Sequence, residues 1–135
     1  MATFDAPNRE TCQVRRARTN TPLQALVLMN DVQYVEAARS FAENIVRDVE
    51  GDVNAKIKHA FRRVLARSPG DKELQSIVNL YNEYLSEFTA DPESAKKLLA
   101  NGESMRDENL NVSQVAAWTM AVSYTHLTLP TTPYV

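Results

Sequence analysis

Blocks of apolar residues at helical spacing, each opened by a capping residue, constrain this chain more than any other feature. Val35, Ala38, Phe41, Ala42, Ile45, Val46 and Val49 form one stripe behind Asp31, and Gly51 closes it. Asp52 opens the next block, in which Ala55, Ile57, Ala60, Phe61, Val64 and Leu65 line one face. Lys56, Lys58, Arg62, Arg63 and Arg67 project from the other. Ser68-Pro69-Gly70-Asp71 reads as a turn and a new cap before Leu74, Ile77, Val78, Tyr81, Leu85 and Phe88. Asp91-Pro92-Glu93 starts another helix by the cap-then-proline rule, and Asn101-Gly102 stops it. After a polar connection over 102–111, Asn111 caps a last helix containing Val115, Ala116, Trp118 and Met120. No stretch alternates with a period of two, and only three glycines occur in 135 residues. The expected fold class is therefore all-α. An irregular polar N-terminal segment precedes about five helices packed as an orthogonal or bundle-like array.

The length suits one domain or part of one. A formal charge of −2 gives no global attraction to nucleic acid or anionic membrane. No apolar run approaches the roughly 18 residues that would span a bilayer, and no basic region followed by an apolar stretch marks a signal peptide. Cys12 is the sole cysteine, so an intrachain disulfide and a Cys-x-x-Cys-His haem attachment are both excluded. Arg15 and Arg16 lie near enough in sequence to activate its thiol, but an inert thiol is the simpler reading.

Ahead of the first stripe lies a polar leader. It runs from Phe4-Asp5-Ala6-Pro7-Asn8-Arg9-Glu10 through Arg18-Thr19-Asn20-Thr21-Pro22-Leu23-Gln24-Ala25-Leu26 to Asn30-Asp31. Downstream come Ala60-Phe61-Arg62, Leu65-Ala66-Arg67, Gly102-Glu103-Ser104 and Ala116-Ala117-Trp118-Thr119. In this order the segments resemble the C-terminal part of a planctomycete-type domain of unknown function. That domain sits downstream of cytochrome-c-like modules in large exported proteins. The resemblance covers roughly residues 3 to 121 and implies that 1–121 is the C-terminal fragment of a helical domain. It implies export, to the periplasm or cell surface, and neighbouring domains as partners. It assigns no role to any single residue.

The composition changes at Val122. Residues 123–135 contain no Asp, Glu, Lys or Arg. Val122-Ser123-Tyr124-Thr125-His126-Leu127-Thr128-Leu129-Pro130-Thr131 looks like a translated sequencing-library adapter. Residues 122–135 are thus expected to be a non-native tail that truncates the last helix, although a genuine extended terminus is the alternative.

Three groups of residues invite chemistry. Arg9, Arg15, Arg18 and Asn20, beside a helix starting at Pro22, would make a carboxylate or acidic-sugar site from guanidinium forks and free backbone N–H groups. The structural alternative pairs these arginines with Asp5 and Glu10 and turns the asparagines on backbone groups. His59 has no His, Cys or acidic neighbour at three or four residues in either direction, so neither a metal site nor a catalytic triad gathers around it. The basic face of the Asp52-capped helix has few interleaved aromatics and reads as solvated, not as a nucleic-acid surface. Tyr81, Tyr84, Phe88 and Trp118 read as core.

The sequence thus points to a non-catalytic helical scaffold or interaction module of a larger exported protein. No metal, no catalytic residue and no cofactor are expected in this chain, and neither nucleic acid nor a membrane span. The alternative is a ligand-binding or enzymatic domain whose arginine-rich anion site is completed by residues upstream.

Overall fold

A computed structural model describes residue 23, residues 26 and 27, and residues 30–124. The chain is all-α, and the described residues contain five helices and no strand. They are α1 (Val32–Asp48), α2 (Val53–Leu65), α3 (Asp71–Ala90), α4 (Pro92–Leu99) and α5 (Val112–Val122). Residues 23, 26, 27 and 30 are also helical, and the direction changes at Asp31, whose backbone is extended.

The starts follow from the sequence. Asp31 accepts from the backbone N–H of Gln33 at 2.9 Å, and Asp52 from that of Ala55 at 2.9 Å. Asp91 accepts from the N–H of Ser94, Pro92 takes the first turn of α4, and Asn111 accepts from the N–H of Gln114 at 3.1 Å. Each oxygen satisfies an N–H that has no partner in the first helical turn. One cap differs from expectation. Gly70, not Asp71, is the cap of α3, and the Glu73 carboxylate reaches back to accept the Gly70 N–H at 2.8 Å. This supplies half of a capping box without a capping side chain.

Helix α5 is the centre of the array. It has no charged residue and packs against α1, α3 and α4. Val115, Ala116, Ala117, Trp118, Thr119, Ala121 and Val122 are all buried. A helix that is apolar on every side finds no amphipathic solution and must be surrounded. Ala116 and Ala117 let the neighbouring helices approach closely, while Trp118 fills the space beyond them. Its ring lies 4.6 Å from that of Tyr81 on α3. Burial raises the Tyr81 phenol pKa above its ordinary value. Tyr84 stacks on Phe88 at 5.9 Å, and both pack at the edge of the same core.

Helix α2 covers α3 and the C-terminal part of α1 with Ile57, Ala60 and Phe61. One residue on it and one just beyond its end depart from expectation. Val64, assigned by periodicity to the buried face, is 47% exposed at the last turn. Arg67, expected to project into solvent, folds back. Ala66 ends α2 in the left-handed region with φ 54°, a conformation that costs a residue with a Cβ. The reversal brings the Arg67 guanidinium 5.3 Å from the Phe61 ring centroid and onto Glu73.

Candidate functional site

Charged and polar side chains gather in three places among the described residues, and their surroundings separate them by task. The first is inside. Arg39 and Glu43 lie one turn apart on α1, beside the small residues Ala38 and Ala42, and both are buried. Arg39 Nη1 donates to the carbonyl oxygens of Leu99 at 2.7 Å and Asn101 at 3.3 Å. Nη2 donates to the Ser104 carbonyl at 2.8 Å and to the Ser104 hydroxyl. The guanidinium thereby occupies the Leu99 carbonyl at the C-terminus of α4, the end that favours a cation, together with the Asn101 and Ser104 carbonyls of the loop that follows. Glu43 Oε1 stands 3.9 Å from Arg39 Nε, close enough to balance charge but too far for a hydrogen bond.

Glu36 completes this clamp. Its Oε1 accepts the Ser104 N–H at 2.7 Å. Hydrogen bonds from Ser104 lower the Glu36 carboxyl pKa below the ordinary value. The carboxylate crosses directly over Gly102. A Cβ on Gly102 would sit 2.5 Å from the Glu36 carboxyl carbon, and its φ of 99° also favours glycine. A shallow hollow of about 270 Å³ lies above the clamp, with Lys96, Arg106 and Glu108 at its edge. Lys96 is paired with Glu93 at 2.9 Å.

The second place joins α2 to α3. Arg67 grips Glu73 with two parallel bonds of 2.8 and 2.7 Å, the planar geometry in which guanidinium and carboxylate bind most firmly. Together with the Gly70 N–H, Arg67 pulls the Glu73 pKa down to about 2. The pair pins the Ser68–Gly70 turn and roofs Phe61.

The third is open. A cleft of about 330 Å³ runs between α1 and α2. Phe41, Asn44, Ile45 and Asp48 line it from α1, and His59 and Arg63 line it from α2. Asn44 and Asp48 are four residues apart, as are His59 and Arg63, so each helix presents two polar groups on one face. Ile45 is buried and Phe41 half-buried, whereas the polar residues are exposed. Asp48 is held by Arg47, with Nε–Oδ1 at 2.8 Å, and this bond lowers its carboxyl pKa. Among the described residues Arg63 makes no ion pair.

The anion site expected at Arg9, Arg15, Arg18 and Asn20 lies outside the described residues, as does Cys12. His59 has no acidic neighbour within its own helical turn, yet tertiary packing sets it in one cleft with Asp48. No group of three or more His, Cys, Asp or Glu residues suited to a metal occurs among the described residues. No described helix is long and apolar enough to cross a membrane. The buried Arg39–Glu43 pair escaped the sequence reading. Its visible trace was an oppositely charged pair four residues apart, flanking the Ala38–Ala42 stripe.

The bridge, the clamp and the central helix account for the four motifs that mark the chain. Ala60-Phe61-Arg62 with Leu65-Ala66-Arg67 builds the bridge, Gly102-Glu103-Ser104 is the clamped loop, and Ala116-Ala117-Trp118-Thr119 is the centre of α5. These motifs belong to a helical domain held together by a few internal polar ties. The family described as PSD1, protein of unknown function (DUF1553), matches residues 1–81, and the chain belongs to that family. No curated protein and no solved structure matches the chain.

Proposed function

We propose that this chain is a non-catalytic helical module that packs and positions neighbouring domains of a larger exported bacterial protein, with cytochrome-c-like modules among those neighbours. The observation that carries this reading is where the motif residues are used. Gly102, Ser104, Arg67 and Trp118 of those motifs all serve internal contacts, the first two with Glu36 and Arg39. Function placed on rigid elements needs such ties, but a catalytic centre also needs reactive groups converging on a pocket. The clamp directs its donors at backbone carbonyls instead. Apolar side chains at the entrance to α1 support an interaction role. Leu23, Leu26 and Val32 are all more than half exposed and lie within ten residues of one another, an apolar grouping of the kind that a partner covers when it forms one patch. Export and the planctomycete-type, cytochrome-linked setting rest on the sequence resemblance.

Calorimetric titration of the chain with a separately produced cytochrome-c-like module tests the proposal. Saturable binding that weakens in the Leu23→Ser, Leu26→Ser variant is expected. Absence of binding, combined with chemical turnover of any substrate by the isolated chain, would overturn it.

A further inference from the structure

We propose that the outer face of α2 docks onto the C-terminal half of α3 in a second copy of this chain, with Lys58 and Arg62 of one copy meeting Glu87 and Glu83 of the other. The use of charge elsewhere in the fold isolates these four residues. Every charged side chain of α1 has an ionic or hydrogen-bonding partner: Glu36 with Ser104, Arg39 with Glu43, and Arg47 with Asp48. Of the six arginines among the described residues, Arg39, Arg47 and Arg67 are tied internally. Arg62 and Arg63 adjoin on α2, which has no carboxylate; like Lys58, they are exposed and make no ion pair among the described residues. Glu83 and Glu87 on α3 are exposed and equally unpaired there.

Each strip carries an internal cost. Lys58 and Arg62 are like charges one turn apart, as are Glu83 and Glu87, and such pairs are unfavourable on a helix surface. Glu87 also stands in the last turn of α3, which has no basic residue, and a carboxylate there opposes the helix dipole. Arg62 and Arg63 suit the last turn of α2, whereas Lys58 lies too far from it to share that gain. A strip of opposite sign relieves these costs, and the two strips match in length. Each spans about 6 Å along its axis, so antiparallel helices set Lys58 opposite Glu87 and Arg62 opposite Glu83. Small residues flank both, Ala55 and Ala66 on α2 and Ser86 and Ala90 on α3, which lets the axes approach. Apart from His59, which lines the α1 cleft, no aromatic ring stands among the cations to stack on a nucleic-acid base. Made reciprocally, the contact closes a two-fold dimer; made one way, it extends into a chain of copies.

Sedimentation equilibrium of the full 135-residue chain tests this inference. Exposed ion pairs are individually weak, so a Kd on the order of 0.1 mM is expected at about 20 mM salt, with the monomer restored at about 500 mM. Lys58→Glu, Arg62→Glu and, separately, Glu83→Lys, Glu87→Lys should each weaken association at least about tenfold. All four substitutions in one chain keep the net charge and exchange the two strips, so this variant should associate again. Circular dichroism checks that each variant stays helical. Should the four-site variant unfold, a double-mutant cycle decides, with Lys58→Gln, Arg62→Gln on one strip and Glu83→Gln, Glu87→Gln on the other; additive losses would count against the contact. The proposal falls if the wild-type chain is monomeric at about 1 mM in low salt, if association ignores salt, or if the folded four-site variant stays monomeric. It also falls if the chain stays monomeric and instead retains duplex DNA. Loss of association in Leu23→Ser, Leu26→Ser alone would assign it to the apolar patch and overturn the proposal. Binding of a neighbouring domain through Leu23 and Leu26 is measured separately, so either reading can fail without the other.

Discussion

The two flanks of α1 use similar side chains for opposite purposes. On one flank Arg39 is buried, its guanidinium donors are met by the end of α4 and the Ser104 loop, and Glu43 balances its charge. On the other flank Asn44 and Asp48 face Arg63 and His59 across a solvent-reached cleft. The contrast shows that residue type does not decide whether an arginine holds a fold together or remains available to a ligand. What decides is whether another element brings oxygens to meet the guanidinium, as the Leu99, Asn101 and Ser104 carbonyls meet Arg39 and the Glu73 carboxylate meets Arg67. The C-terminus of α4 does so, whereas the middle of α2, with its carbonyls used within the helix, does not.

The sharpest way to break this contrast is to remove the buried arginine. Arg39→Met keeps much of the apolar stem but leaves several carbonyls and the Glu43 carboxylate without a cation. It should lower stability by about 3–5 kcal/mol, measured by urea denaturation. A loss no greater than that of an exposed arginine would show that the clamp is not structural. Gly102→Ala, on the clamped loop, should cost about 1–3 kcal/mol. Replacing Glu36 with alanine as well should recover part of this loss, because it removes the clash and leaves only the backbone strain. Additive losses in the double variant would argue against close approach of Glu36 and Gly102.

A smaller effect comes from the Arg67–Glu73 bridge. The Glu73 pKa is depressed to about 2 from an ordinary 4.5, so its contribution is fully present above about pH 4.5. It is lost as the pH falls towards 2. The pair is partly exposed, and solvent screening limits this contribution to on the order of 1 kcal/mol. Stability curves measured between those pH values should flatten in Glu73→Gln, and unchanged acid sensitivity would count against the bridge. The smallest effect is expected on the open flank. Arg63→Ala should change stability by less than about 0.5 kcal/mol. A large fall in melting temperature would mean that Arg63 is a structural tie after all.

The reading of the helices from sequence succeeded where the signal was local. Asp31, Asp52, Asp91 and Asn111 cap as expected because a capping oxygen acts within three residues. The expectation failed at Gly70 and Val64, where the outcome depends on another element. Glu73 caps α3 through the Gly70 N–H while Arg67 holds the same carboxylate, and Val64 lies in the last turn of α2, just before Ala66 reverses the chain. The sites were less legible still. Neither the cleft residues nor the Arg39 clamp adjoin in sequence. Their partners lie up to 68 positions away, and periodicity on one helix carries no information about which face another helix will meet.

By itself, the order of residues determined that the described part of this protein is helical, where most of its rods begin, and that Trp118 belongs to the core. Those outcomes follow from short-range hydrogen bonding and from the cost of wetting an apolar surface. Only the tertiary arrangement decided which charges were enclosed and which were left facing a cleft. That choice depends on the distances between helices, because a charge tolerates burial only where another element brings oxygens to meet it.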